Sequence, residues 1–295
     1  MPAASRFADF WIGRKNFDLK AVENARSAVA HLKPIVVVTG GSRGIGAALA
    51  MRFAEAGNHV ALVARNAEAL AAAARQISEK TNQSIIEILL DITDANAPEH
   101  MEKTLAAQGF YIDVLINNAG TGLSGAFDQM KPDEIDALIG LNIRSLTRMM
   151  RHVLPAMRAR RRGGILNIAS LGGTVPGPYQ AAYYASKAYV ISLTEAVAAE
   201  LPGEGVRIAA LLPGPVNTSF HADMGAEHSR YRWMLPAHSP EAVAHIAHRN
   251  FRLGQRVIVP GLFNRLAFGA LRLLPHPISV PVMAWLLAPP QTTKT

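Results

Sequence analysis

The sequence predicts a doubly wound α/β fold, a parallel sheet with helices on both faces. Two observations carry that prediction. From Ile35 onward, short β-branched runs alternate with longer helical stretches. Most of those runs are nearly continuous in Val, Ile and Leu, as strands covered on both faces should be.

The strands follow in order as Ile35–Thr39, His59–Ala64, Ile85–Leu90, Ile112–Asn117, Gly164–Ala169, Val206–Leu212 and Arg256–Val259. Between them the spacing predicts helices over Ala47–Ala56, Asn66–Lys80, Pro132–Arg162 and Tyr179–Leu201. No internal repeat or low-complexity linker interrupts this pattern, so residues 34–260 read as one domain. Residues 1–33 form an extension with Leu19, Val22, Ala25, Val29 and Leu32 at helical spacing. Residues 261–295 form an apolar tail broken by Pro275, Pro277, Pro281, Pro289 and Pro290. Neither flank is long enough to be a domain.

Composition narrows the function. Of 295 residues, 49% are hydrophobic and 18% charged, enough apolar surface for a sizeable core and too little charge for a disordered chain. With no cysteine, disulfide scaffolds, thiol nucleophiles and thiolate metal sites are excluded. The net charge of +8 favours an anionic partner such as nucleic acid, anionic lipid or a phosphorylated cofactor. Nucleic acid is disfavoured by distribution. The dense cluster Arg158, Arg160, Arg161 and Arg162 lies at a helix end, where cations complement the dipole, and aromatics do not interleave with it. No apolar run reaches the ~20 residues of a membrane span. Charged residues from Arg6 to Asp18 leave no room for a signal-peptide core. The expected location is cytoplasmic.

The first strand runs into Gly40-Gly41-Ser42-Arg43-Gly44-Ile45-Gly46, and a helix follows. Glycines there let the backbone turn tightly and approach a pyrophosphate at the helix N-terminus, which makes this a Rossmann-type dinucleotide loop. The second strand ends Leu62-Val63-Ala64-Arg65 and lacks the carboxylate that binds the ribose 2′-hydroxyl of NAD. Arg65 and Arg43 either flank a 2′-phosphate or stand as solvated surface arginines. Two substitutions in the same direction favour the phosphate, and with it NADPH/NADP+.

Tyr183 and Lys187 stand at i and i+4, on one face of a helix. A free tyrosine has a pKa near ~10, and a neighbouring ammonium and a cationic nicotinamide ring both pull that value toward the working range. Alone, this pair is weak.

It is joined by Thr39-Gly40-x-x-x-Gly44-Ile45-Gly46, Asn117-Asn118-Ala119-Gly120, Ser170 and Pro213-Gly214. In order and spacing these motifs resemble the classical short-chain dehydrogenases/reductases over about residues 34–260. The resemblance implies that Tyr183 is the general acid and that Ser170 hydrogen-bonds the reacting oxygen. Lys187 would bind the nicotinamide ribose and lower the tyrosine pKa, and Asn142 would hold a water of a proton relay. Asp91 would lie beside adenine, and Asn117, Ala119 and Gly120 would pack on the cofactor. Pro213, Gly214, Val216 and Thr218 would hold the nicotinamide end. A substrate lid is implied over about residues 219–240, where Met224, Tyr231, Trp233, Met234 and Leu235 suit a lipophilic substrate.

The expected function is therefore an NADPH-dependent carbonyl reductase. The alternatives are an alcohol dehydrogenase running in reverse and a non-catalytic NADPH-binding sensor. No metal is expected: His245 and His248, at i and i+3, read as ordinary histidines. The resemblance implies a homodimer or homotetramer. The tail is expected to pack on the domain or a neighbouring subunit, with peripheral membrane contact as the rival reading. Phe7, Phe10 and Trp11 share that ambiguity.

Overall fold

Asp18 opens the first helix, its Oδ1 accepting from the backbone of Lys20 and Ala21. The computed structural model describes residues 18–288. Helix α1 (Leu19–Ser27) is followed by β1 (Lys33–Thr39), α2 (Gly44–Glu55), β2 (His59–Ala64), α3 (Ala67–Thr81) and β3 (Ile85–Leu89). Next come α4 (Ala97–Ala107), β4 (Phe110–Asn117), α5 (Pro132–Ile139), α6 (Leu146–Arg160) and β5 (Gly163–Ile168). The last third holds α7 (Ala181–Glu200), β6 (Val206–Leu211), α8 (Phe220–Asp223), α9 (Tyr231–Met234), α10 (Pro240–Arg252) and β7 (Val257–Ile258). Two tail helices, α11 (Leu262–Leu273) and α12 (His276–Leu287), complete the described chain.

The seven strands form one parallel sheet in the order β3-β2-β1-β4-β5-β6-β7. Side chains alternate across β1, so Val36 and Val38 join one core layer and Ile35 and Val37 the other. The first layer packs against Leu49 and Phe53 of α2, Leu70 of α3 and Phe251 of α10. The second packs against Met101 of α4 and Met149 and Met157 of α6. The order reverses between β1 and β4, which opens a crevice at the carboxyl ends of the strands.

Two expectations need correction. The helix anticipated over residues 132–162 is interrupted: α5 and α6 are joined by a π-helical turn, Gly140–Ser145, which buries Asn142 and Ser145. An extra residue in the helical turn widens it and turns that polar pair inward, which hydrophobic periodicity does not reveal. The strand expected over residues 256–259 shrinks to the two residues of β7.

The arginine cluster is engaged internally. Arg158 pairs with Glu204 (2.6 Å), and Arg162 holds Asp113 through two hydrogen bonds. Arg160 is buried, donates to Ile112 O and stacks on the Tyr111 ring, while Arg161 donates to Gly203 O. Helix α1 has no buried residue and is tied to the end of α6 by Arg26 Nε, which donates to Arg160 O (3.0 Å). Phe7, Phe10 and Trp11 lie outside the described residues, as do Pro289 and Pro290. His248 is buried edge-on against Phe53. Among the described residues, no cluster of three or more His, Asp or Glu is placed to hold a metal ion, and no helix is long and apolar enough to cross a membrane.

Candidate active site

The loop after β1 is shaped by glycine and stapled by asparagine. Gly40 and Gly44 take positive φ (63° and 56°), and a Cβ on Gly40 would meet Ala119 Cα at 2.9 Å. Asn118 Nδ2 donates to the carbonyls of Thr39 and Gly40, while Thr39 Oγ1 accepts from the Asn118 and Ala119 amides. Helix α2 then begins with no side-chain cap at Arg43. The uncapped amides of the first turn open toward a cavity lined by Gly40, Ser42, Gly44 and Ile45, an arrangement that fits a phosphate group.

Gly46 does not line this cavity. It lets α2 close on the loop: a Cβ there would stand 2.4 Å from both Asn118 Nδ2 and Gly40 O. Gly46→Ala is therefore expected to destabilise the protein by about 1–3 kcal/mol, read as a lowered midpoint in urea denaturation. An unchanged midpoint would show that the loop relaxes freely.

Arg43 and Arg65 both line the same end of the cavity. Each holds a carboxylate: Arg43 pairs with Asp223 of α8 (2.8 Å) and donates to Ser219, and Arg65 pairs with Asp91 (3.4 Å). Burial acts to raise the Asp91 pKa, but hydrogen bonds from Thr93 and the charge of Arg65 outweigh it, and the net shift is downward. Ala119, Gly120, Pro213, Gly214, Val216 and Thr218 also line the cavity. Asn117 does not. It is buried in the sheet, where its Nδ2 donates to Asn167 (2.8 Å), and Asn118 takes the cavity wall instead. Asn117 is the last residue of β4, with its side chain held inside the sheet, whereas Asn118 lies past the strand end beside the crevice.

Ser170, Tyr183 and Lys187 meet on the wall of this cavity. Ser170 follows β5, and its Oγ accepts from Gly172 N (3.0 Å). Both Tyr183 and Lys187 are buried on α7, and Lys187 Nζ donates to Ile168 O (2.8 Å). The tyrosine differs from expectation: burial drives its pKa well up, a hydrogen bond with Ser170 offsets this in part, and Lys187 is not among the causes. Desolvation outweighs the ammonium because the lysine is itself destabilised as a cation, its pKa lowered to about 8 by burial.

That lysine leaves a signature in stability. Above pH 8 the folded protein binds fewer protons at Lys187 than the unfolded chain, whose lysine titrates at 10.5. Stability gained from this site thus rises between those values. The unfolding free energy of the protein minus that of Lys187→Met is expected to grow by about 1 kcal/mol per pH unit from pH 8 to 10. Urea denaturation across that range measures it, and a flat difference would contradict the assignment.

Asn142 stands behind the cavity wall rather than on it. Its Oδ1 accepts from Thr121 N (2.9 Å), and its Nδ2 donates to Thr121 O and Ser186 Oγ. A Cβ on Gly120 would touch both Asn142 Oδ1 (3.1 Å) and Lys187 Nζ (3.5 Å), so the two groups face the same glycine.

The cavity extends to about 810 Å³, and its far part was legible in sequence only through the lid residues. Met224, Tyr231 and Leu235 of the segment after β6 turn into it, whereas Trp233 and Met234 face outward. Phe220 of α8 rests beside the Tyr183 ring (5.6 Å between centroids). The tail closes this end: Phe263, Leu271, Met283 and Leu287 line it. Asn264 fills the space over Gly214, where a Cβ would come within 2.6 Å of it. Arg230 Nη1 donates to Trp285 O (2.8 Å) and joins the two segments. Gln180, Tyr184 and His221 complete this wall. No spacing rule brings these residues together before the chain folds.

A phosphate-binding loop at a sheet switch point, joined to a Ser-Tyr-Lys set whose tyrosine and lysine are buried, defines an oxidoreductase site for a nicotinamide dinucleotide. The short chain dehydrogenase family model matches residues 34–229, and the chain belongs to that family. The 3-oxoacyl-[acyl-carrier-protein] reductase of Staphylococcus aureus is 37% identical over 179 residues, 60% of this chain and 72% of that protein. Among solved structures, a short-chain dehydrogenase from Sphingobium yanoikuyae in complex with NADPH has a TM-score of 0.72 at 29% identity, covering 85% of this chain and 95% of its own. The bulky-bulky ketone specific alcohol dehydrogenase from Comamonas testosteroni has a TM-score of 0.67 at 29% identity, covering 83% and 96%.

Proposed function

We propose that this protein reduces a lipophilic ketone or aldehyde to the alcohol, with NADPH preferred over NADH. The observation that carries the reading is the single cavity. Two arginines stand at its phosphate-loop end, Ser170, Tyr183 and Lys187 on its wall, and apolar side chains from the lid and tail around its far part. The Sphingobium structure with NADPH and the Comamonas enzyme's ketone specificity support it.

Bound NADPH supplies the hydride that the carbonyl carbon receives. The chain's own residues manage the oxygen. Ser170 Oγ donates to the carbonyl oxygen and holds it against Tyr183. Burial keeps the Tyr183 phenol protonated, so it is the acid that donates as charge develops on that oxygen. Lys187, held by Ile168 O, lies at the base of α7 where it binds ribose hydroxyls and returns a proton toward the phenol. Asn142 acts as a positioning residue, fixing the Thr121 backbone and Ser186 beside the lysine. The test is NADPH oxidation over a carbonyl panel, with NADH in parallel. Turnover favouring NADPH supports the reading; turnover favouring NADH removes the roles given to Arg43 and Arg65.

Two finer features belong to the same reading. The outward face of α7, with Ala185, Tyr189, Ser192, Ala196 and Ala199 at its surface or half-buried, suits packing against a second copy of the chain, and light scattering would report it. The outer faces of the tail helices expose Leu262, Leu266, Leu273 and Trp285, an apolar surface that fits peripheral membrane contact. Flotation with anionic vesicles tests this. Protein that stays behind the vesicles rules it out.

A further inference from the structure

The far wall of the cavity contains one unsatisfied donor. Gln180, at the start of α7, is 2% exposed and lines the cavity, yet its Nε2 has no hydrogen-bond partner among the described residues. Its amide lies near enough to the Tyr231 hydroxyl to act on it, and that hydroxyl shares a 2.8 Å hydrogen bond with His221 Nδ1. A buried amide donor left unpaired costs about 1–3 kcal/mol, so a site that keeps one gains when a ligand acceptor meets it. The half-buried Arg232 stands behind this wall, and its charge acts on both His221 and Tyr231. Arg43, Arg65, Asp91 and Lys187 are the lysines, arginines and carboxylates lining the cavity, and all belong to its cofactor side. His221 is held neutral by burial, its pKa near 4.

We propose that Gln180, Tyr231 and His221 form an anchor for a second oxygen of the substrate, so that the substrate is a lipophilic carbonyl compound carrying a further carbonyl or hydroxyl oxygen. The anchor lies close to the reacting group. Tyr183 contacts the Phe220 ring (5.6 Å), Phe220 contacts His221 (5.9 Å), and His221 contacts Tyr231 (5.7 Å between centroids). Gln180 itself sits three residues ahead of Tyr183 on the same helix start. The second oxygen therefore orients the substrate for the Ser170–Tyr183 pair while the apolar wall takes the hydrocarbon. The inference rests on the carbonyl-reductase reading for its chemistry but not for its binding test.

The experiment compares a long linear methyl ketone with diketones of equal length, the second carbonyl moved stepwise along the chain. Affinity is measured by calorimetry on the complex with NADP+, which cannot reduce either ligand, and kcat/KM is measured with NADPH. At least one diketone is expected to exceed the monoketone by about 10-fold in both readouts. In Gln180→Leu and Tyr231→Phe that ratio should fall toward one. General damage to the fold would lower both ligands together and keep the ratio, so a persistent ratio in both variants overturns the anchor. Equal binding of monoketone and every diketone by the unaltered protein also overturns it. Preferential binding without turnover of any ligand would instead sink the reductase reading and leave the anchor standing.

Discussion

Tyr183→Phe is expected to lower kcat/KM for any carbonyl substrate by about 10²–10⁴-fold while NADPH still binds with unaltered affinity. The substitution deletes one hydroxyl and keeps the ring that packs against Phe220 and Tyr184, so the fold and cofactor half of the cavity are untouched. Ser170 remains oriented by the Gly172 amide. What is lost is the proton donor, and burial makes that donor hard to replace by water. Steady-state kinetics together with cofactor titration by fluorescence measures both quantities. Turnover within a few-fold of the parent would remove Tyr183 as the acid.

The second large effect concerns the choice of cofactor. Arg43 and Arg65 are each about two-thirds exposed, and their ion pairs with Asp223 and Asp91 are surface pairs. Such pairs contribute roughly 0–1 kcal/mol, so a 2′-phosphate draws both guanidinium groups away at little cost. Charge-assisted hydrogen bonds to that phosphate are worth about 1.5–3 kcal/mol each. Replacing both arginines by alanine should weaken NADPH by about 10²-fold or more and leave NADH within a few-fold. The NADPH advantage should also shrink as salt is raised. Equal weakening of NADPH and NADH would mean that the arginines serve the loop or the lid, not the phosphate. Arg43 has a further consequence: its grip on Ser219 and Asp223 ties the phosphate loop to α8, so occupancy of one end of the cavity bears on the cover of the other.

The Tyr183 phenol shows where reasoning from residue types stops. From spacing, an ammonium four residues away should lower its pKa. In the folded chain burial acts on both groups, raising the phenol and lowering Lys187, because desolvation depends on everything packed around a group. The same limit applies to Asn117 and Asn118. Their adjacency marks the end of β4, but which one reaches the crevice is decided by the fold of the chain past the strand end, and the answer is Asn118.

By itself the sequence determined the parallel sheet, the phosphate loop, the tyrosine–lysine pair and the missing carboxylate after β2. Each of these is local: a continuous apolar run, glycines where the backbone must turn, two side chains one helical turn apart, a residue type at a strand end. Tertiary structure alone decided the π turn that buries Asn142, the internal use of the arginine cluster, and the far wall of the cavity. That wall joins Gln180, His221 and Tyr231 to Met283 and Leu287, which follow 52 to 107 residues later in the chain. No periodicity relates them, since their meeting is set by how the tail helices pack across the carboxyl ends of the strands.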